Sequence, residues 1–322
     1  MKPHIINVLG TVFGLAHRRL LRKSLTVFCY HDVTSAPSDF SRENALNVHP
    51  DVFDFQLQFI NKNFNVIAPE QLMEPSLPAN AALVTFDDGF KSFFTNALPI
   101  LEKHRTPVLI FLNMGPIHGE TFWSGLIVYL CGRRPDFIEY LKSRLQPNKM
   151  EDTPFLSCSQ SLVESYLKQT GEDFQKVVSL FVGRFADETD LERTSRSPYV
   201  FYGNHTYSHF VSCLMSDDEF LSDVEKNAKF LRAYPNYLNY FAFPFGQPET
   251  TFTRLQVELL LNTGVKKVFS SASFYNLRPS ATFLDRIAFL PDDDSPAKIR
   301  FRILFRGLKS FFMNRGPSRI NE

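Results

Sequence analysis

Six apolar or β-branched residues stand together at 25–30 (LTVFCY) and stop at His31. An unbroken run of that length predicts a strand buried on both faces. The same signature returns at 81–86 (AALVTF), halted by Asp87-Asp88-Gly89, and at 107–112 (PVLIFL). Between these runs the period changes. Phe53, Leu57 and Ile60 recur at helical spacing within 50–63, and Phe93, Phe94, Ala97 and Leu101 share one side of a predicted helix over 90–104. A short strand is predicted at 65–68. Strand, helix, strand in this rhythm predicts βα units built into a parallel sheet or barrel.

The rhythm breaks at Gly115 and resumes near Tyr199. The intervening stretch has helical character over 122–145 and 159–185, too much for an ordinary connection. It is expected to be an inserted helical subdomain spanning about 115–198. Strands follow at 199–202, 240–243 and 267–270, with helices at 217–233 and 251–263 between them. Residues 298–312 set Arg300, Arg302, Arg306 and Lys309 among Ile299, Phe301, Leu304, Phe305 and Leu308. This is a basic amphipathic helix whose apolar face packs on the barrel or, alternatively, lies on a membrane surface. At the other end, residues 5–16 are mostly apolar, and His17-Arg18-Arg19 and Arg22-Lys23 come directly after them. The run is too short to span a bilayer. Its charge follows the apolar stretch, the reverse of a secretory signal. A basic amphipathic segment is expected, with a signal anchor as the alternative. The chain thus divides into a basic N-terminal segment (1–24), a barrel (25–295) and a basic C-terminal helix and tail (296–322).

With 322 residues and 44% hydrophobic content, the chain can bury a large core. The 34 phenylalanines against one tryptophan point to an aromatic-rich interior. A net charge of +1 argues against nucleic acid as a partner. Cys29, Cys131, Cys158 and Cys213 are scattered, with no paired spacing, so neither a disulfide framework nor a cysteine zinc site is expected. Free thiols and the placement of the N-terminal charge favour a cytoplasmic protein associated with the membrane, rather than a periplasmic or exported one.

The chemistry concentrates at strand ends. Asp87 and Asp88 follow a buried strand, at the edge where parallel α/β folds build their sites. Adjacent desolvated carboxylates repel, and a cation relieves that repulsion. His205 and His209 follow another strand and, four residues apart, are expected on one face of a helical turn. Two imidazoles and one carboxylate form a common catalytic zinc shell. His31 stands at a third strand end, where an imidazole beside a metal site can act as a general acid. The segment Phe243-Pro244-Phe245-Gly246 ends a strand in a turn, and a backbone N–H just past the proline could meet an oxyanion.

These residues resemble the polysaccharide deacetylases, the family-4 carbohydrate esterases that share the NodB homology domain. The resemblance rests on TFDDG at 85–89, HTYSH at 205–209 and FPFG at 243–246, and spans about 25–290 apart from the insertion. It implies an α/β fold, a distorted (β/α)7-type barrel with a helical insertion. It also implies Asp87 as general base, a divalent metal, usually Zn2+, on Asp88, His205 and His209, and the Phe245 N–H in the oxyanion hole. Two positions depart from the family pattern. Ala242 stands where many members carry an Arg that orients the base, and no L-x-x-H occurs near Phe283-Leu284-Asp285-Arg286. The permuted poly-N-acetylglucosamine deacetylases place their acid His after the first strand, as Tyr30-His31-Asp32-Val33 does here. His31 is accordingly assigned as the acid, and Arg286 as the substitute partner of Asp87.

The implied activity is metal-dependent removal of the N-acetyl group from a sugar in a polysaccharide or lipid-linked glycan. An O-acetyl esterase or other amide hydrolase, and a non-catalytic glycan-binding relic, are the alternatives. Expected partners are the N-acetylated glycan and, through the basic terminal segments, a membrane surface. The insertion is expected to wall the sugar site. Trp123 is placed either in a core or stacked on a sugar ring.

Overall fold

The computed structural model describes residues 23–145, 154–278 and 280–313. Most of the predicted N-terminal basic segment therefore lies outside the described residues. The sheet is built from β1 (Leu25–Tyr30), β2 (Ala81–Phe86), β3 (Val108–Leu112), β4 (Val200–Asn204), β5 (Tyr237–Ala242), β6 (Lys267–Phe269), β7 (Phe283–Leu284) and β8 (Arg286–Ala288). They lie in the order β7-β6-β5-β4-β3-β2-β1-β8, every neighbour parallel. A two-residue strand, Asn65–Val66, adds to β2.

β7 and β8 flank one residue, Asp285. β7 pairs with β6 (Phe283↔Val268) and β8 pairs with β1 (Val27↔Arg286). One extended segment thus joins the two ends of the sheet and closes a barrel of seven staves. The break at Asp285 has a local cause. Its carboxylate accepts from Ser270 Oγ (2.7 Å) and from the backbone N–H groups of Ala272 (2.7 Å) and Phe274 (2.6 Å). The loop after β6 is therefore tied into the seam.

Period-two alternation sorts the side chains. Leu25, Val27, Leu83, Leu109, Phe111, Ala242 and Leu284 fill the barrel interior. Phe28, Tyr30, Val84, Phe86, Ile110 and Ile287 face outward, beneath the helix Pro50–Asn63 and its neighbours. A second outer cluster seats the helices Asp217–Leu231 and Arg254–Asn262 on Phe241 and Val268. On β4, Gly203 points inward, and a Cβ there would meet Phe111 Cδ1 at 2.5 Å. Glycine at that position makes room for the Phe111 ring inside the barrel.

Three predicted elements differ in detail. The helix expected over 90–104 begins with a wide turn, Phe93–Ala97, in which Leu98 N–H donates to Phe93 O, before Leu98–Lys103 continues as α-helix. Pro99 has no N–H to donate, and the wide turn accommodates it. The helix expected over 122–145 is two, Trp123–Arg133 and Pro135–Arg144, because Pro135 starts the second. The helix expected over 159–185 is also two, Gln160–Thr170 and Gln175–Val182, the first ended by Gly171 at φ 65°. The helices between β3 and β4 pack around a second hydrophobic core, which includes Leu126, Leu130, Phe137, Tyr166 and Phe181 and is shared with Phe40 and Phe90 from outside that stretch.

The helix Pro296–Met313 packs on the barrel through Ile299 and Ile303, with Tyr275 Oη donating to Ile303 O (2.8 Å). Phe305 on the same helix is 55% exposed. Among the described residues, no helix is long and apolar enough to cross a membrane.

Replacing Gly203 by alanine forces the new methyl into the Phe111 ring. A loss of about 1–3 kcal/mol is expected, the usual cost of overpacking a filled core. Urea denaturation reads it directly. An unchanged midpoint would show slack around Phe111 that the geometry denies.

Candidate active site

The strand parity that fills the barrel also builds the site. Continuing the interior-facing positions one step places Cys29, Asp87, His205 and Arg286 at the mouth of the barrel. Asp87 N–H donates to Tyr30 O (3.0 Å), extending the β1–β2 ladder past the end of the strand. The chain then turns sharply. Asp88 has φ 71° and Gly89 φ 85°, and Gly89 N–H donates to Asp87 O (2.9 Å). Left-handed backbone is costly for aspartate. Here it turns Asp88 toward the histidines while Asp87 stays on the axis.

His205 and His209 lie on an irregular loop and not, as expected, on a helical turn. Thr206 (φ 65°) and His209 (φ 60°) are left-handed, which no helix tolerates. Buried amides and a carboxylate hold the loop. Asn113 Nδ2 donates to the carbonyls of His205 and Thr206. Asn204 Oδ1 accepts from Thr206 N–H (2.9 Å) and from Asn227 Nδ2 (2.8 Å). Asp223 accepts from the N–H of Tyr207 (2.9 Å) and from Ser208 Oγ (2.7 Å).

The imidazole rings are 5.0 Å apart. Each is anchored through Nδ1: His205 to Ala242 O at 2.7 Å, His209 to Ser124 Oγ at 2.5 Å. Both Nε2 atoms therefore point at Asp88 Oδ1, from 3.5 Å and 3.2 Å. That oxygen is buried and has no hydrogen-bond partner among the described residues. Two nitrogens and a carboxylate oxygen converge, with all three ligand atoms within 4.8 Å of one another, without bonding one another. This donor set fits a divalent metal. Anchored Nδ1 atoms are the usual support of metal-binding histidines. Burial pushes the Asp88 carboxyl up, but His205 and His209 together outweigh it, and the group lies well below the ordinary carboxylate range. Burial also lowers His209, which keeps the ring neutral and able to ligate.

Asp87 faces a different company. Arg286 Nη1 meets its Oδ1 at 2.5 Å, with both side chains buried. Arg286 also donates from Nε to Ser270 O (3.1 Å) and from Nη2 to Ser271 Oγ (3.1 Å), and its guanidinium lies 5.3 Å from the centre of the Phe111 ring. The other carboxylate oxygen, Oδ2, has His31 Nε2 and His205 Nε2 each at 3.8 Å and receives the Cys29 thiol at 3.6 Å. Burial raises the Asp87 carboxyl; Arg286, then His205 and His31, pull harder, and the net shift is downward. Asp87 is thus held ionised. Burial pushes the Cys29 thiol up, so it stands there as a neutral donor.

Phe245 also has left-handed backbone (φ 60°), and its ring lies 5.1 Å from that of His209. The turn expected to face an oxyanion therefore sits beside the metal-type cluster. Trp123 is buried, edge-on to Phe210 at 4.7 Å, in the core of the insertion. It offers no face to a sugar, which removes the stacking role considered for it. The structure brings Asp87, Asp88, His205, His209, His31, Arg286 and Phe245 to one place. Three contributors carried no motif: Ser124, the Ala242 carbonyl and Cys29. Only Cys29 left a trace in the sequence, since the alternation Leu25, Val27, Cys29 points it inward.

A family model described as polysaccharide deacetylase matches residues 75–264. No curated protein matches the chain. Among solved structures, the fold is similar to Streptococcus pyogenes deacetylase PplD in complex with acetate, at 17% identity and TM-score 0.56 over 86% of this chain and 96% of that one. It is similar to IcaB from Ammonifex degensii, at 19% identity and TM-score 0.55 over 87% and 97%. It is similar also to a de-N-acetylase from Aggregatibacter actinomycetemcomitans, at 13% identity and TM-score 0.54 over 86% and 99%. At such identities the likeness is one of fold.

Two substitutions test the supports of the site. Ser124→Ala removes the partner of His209 Nδ1 without touching a ligand atom. Zinc affinity, measured by competition with a chromophoric chelator, is expected to fall about 10–100-fold; an unchanged dissociation constant would discard that support. Arg286→Met leaves the Asp87 charge buried without its partner, and about 3–5 kcal/mol of stability is expected to go. In an Asp87→Asn background the same change should cost clearly less. Equal costs in both backgrounds, read from denaturation curves, would mean that the pair is not coupled.

Proposed function

The chain belongs to the polysaccharide deacetylase family, and on that premise we propose that it is a divalent-metal-dependent hydrolase that removes the N-acetyl group from an amino sugar of a glycan. The observation that carries the proposal is the pairing of two adjacent aspartates with different surroundings. Asp88 faces two imidazole nitrogens, and Asp87 faces a guanidinium and a third imidazole. Adjacent carboxylates with such separate partners suit separate roles, one holding a cation and one moving a proton.

Asp88, His205 and His209 would hold the metal, with Zn2+ favoured by two nitrogen donors and one oxygen. The metal supplies Lewis acidity toward water and the acetamide carbonyl. Asp87 takes the proton from the attacking water through Oδ2, the oxygen that Arg286 leaves open. Arg286 fixes the carboxylate orientation and keeps it ionised. His31, part-exposed at the pocket side of Asp87, delivers a proton to the departing amine. The Phe245 turn lies on the His209 side, where the negative charge on the former carbonyl oxygen would develop.

The position of His31 favours amide over ester cleavage, since an amine leaves only once protonated while an alkoxide leaves more readily. Two of the structural neighbours, the Streptococcus pyogenes deacetylase and the Aggregatibacter actinomycetemcomitans de-N-acetylase, support this class of reaction.

Asp87→Asn and His31→Ala are each expected to lower acetate release from N-acetylhexosamine oligomers by about 10²–10⁴-fold with zinc content unchanged. His205→Ala is expected to lose the metal itself. Full turnover in either of the first two variants sinks the assignment of base or acid. Full zinc loading of the parent protein, with no acetate released from any N- or O-acetylated glycan, would favour a binding protein instead.

A further inference from the structure

The walls of the catalytic pocket come from all around the barrel mouth. Cys29 lies near the end of β1 and His31 follows it, Asp87 and Asp88 follow β2, His205 and His209 follow β4, the Phe243–Gln247 stretch follows β5, and Ser271 after β6 and Ala288 at the end of β8 close the circle. The site is therefore a well on the barrel axis, about 340 Å³ in volume. That is near the low end of the ~300–1,000 Å³ range of small-molecule sites, a size for one sugar ring with its acetamide.

Part of the mouth is covered. Phe40, Asn44 and Leu46 reach over from the segment after β1, and Phe122, Val128 and Leu156 from the insertion. The two halves are bolted together. Phe40 packs edge-on to Phe122 and to Phe181, both at 5.8 Å, and Arg133 forks onto Glu43 at 2.5 and 3.1 Å. The insertion is stitched to the barrel at its returning end, where Ala186 N–H donates to Gly89 O and Lys91 N–H donates to Arg184 O, each at 2.9 Å. Leu46, Val128, Leu156, Phe245 and Ala288 are part-exposed apolar groups of the pocket, His31 and Ser271 are part-exposed polar ones, and Asn44 and Gln247 are its exposed polar side chains.

We infer that this cap restricts the enzyme to the terminal N-acetylated sugar of a glycan, or to a single such sugar, and rejects interior residues of a polymer. The inference rests on the deacetylase reading. An interior residue extends in two directions, so its neighbours need a trough open at both ends. Their hydroxyl groups also need hydrogen-bond partners when covered, and among the described residues Leu46, Val128, Leu156 and Phe245 supply none from their side chains, which leaves Asn44 and Gln247 as the exposed polar groups of the rim. A terminal residue enters a well with its single linkage pointing out.

The probe is a pentamer of N-acetylglucosamine, and the protein is the full chain loaded with zinc. Saturation-transfer NMR on the Asp87→Asn variant reads which sugar is bound, and mass-spectrometric sequencing of the wild-type product reads which sugar carries the free amine. Saturation confined to one end, and the free amine at that same end, are expected. In the Val128→Ala/Leu156→Ala double variant, which opens the rim, the ratio of interior to terminal amines is expected to rise about tenfold. Interior amines from the wild type overturn terminal recognition and leave the deacetylase reading intact. Terminal saturation without acetate release does the reverse. Saturation spread along the pentamer, or absent from it, overturns terminal recognition.

Discussion

Arg286 and Asp87 are both buried, 2.5 Å apart, and stand on opposite sides of the barrel closure. Arg286 begins β8, the half-stave that pairs with β1 and completes the ring. Asp87 follows β2, on the other side of β1. Much of the site depends on that contact being made. Taking two charges out of water is expensive, and a pair like this adds little net stability over packed apolar side chains. What it does secure is the state of one carboxylate. Bonded to Ser270 O, Ser271 Oγ and Asp87, the guanidinium has a partner at each of its three nitrogens, and Asp87 keeps one oxygen toward the pocket. The Asp285 seam then has a purpose. Splitting the last stave at Asp285 lets Phe283 and Leu284 pair with β6 while Arg286 turns inward beside β1.

The strands were legible because their apolar runs are continuous, and the interior positions follow from alternation once one residue is known to face the axis. Leu83 inside implies Thr85 and Asp87 inside; Val27 inside implies Cys29. The short closing stave was not legible as a strand. Two residues before an aspartate and three after it carry no clear periodicity, and the status of the stave comes from partners far away in the chain. Arg286 could be guessed as the partner of Asp87 only because Ala242 left the usual place of that arginine empty. The helical turn expected at His205–His209 failed for a reason no spacing reveals: left-handed φ at Thr206 and His209. The role of Ser124 was invisible because it sits in the insertion, on a helix whose sequence reads only as apolar.

Left-handed backbone recurs around the pocket. Asp88, Thr206, His209 and Phe245 all adopt it, at a cost on the order of 1–3 kcal/mol per residue. The surrounding network offsets that cost at the histidine loop. Asn113, Asn204 and Asn227 are buried, and with Asp223 they satisfy the carbonyls and N–H groups that the irregular loop exposes. A helix would have satisfied these groups by itself, but it would have fixed the two imidazoles by its own pitch. The loop instead lets His205 take Ala242 O and His209 take Ser124 Oγ, so that both Nε2 atoms turn to the same carboxylate oxygen.

Ser124 also joins two functions that the chain keeps far apart in sequence. The helix Trp123–Arg133 supplies Ser124 to His209 and, one turn on, Val128 to the rim. Its far end, Arg133, grips Glu43 across the mouth. The same helix therefore fixes the His209 imidazole and bounds the pocket. A helix that only walled the pocket could drift without moving the His209 ring. This one cannot, because displacing the helix withdraws the hydrogen bond from His209 Nδ1. A single serine thus ties the helix that bounds the pocket to the imidazole of His209.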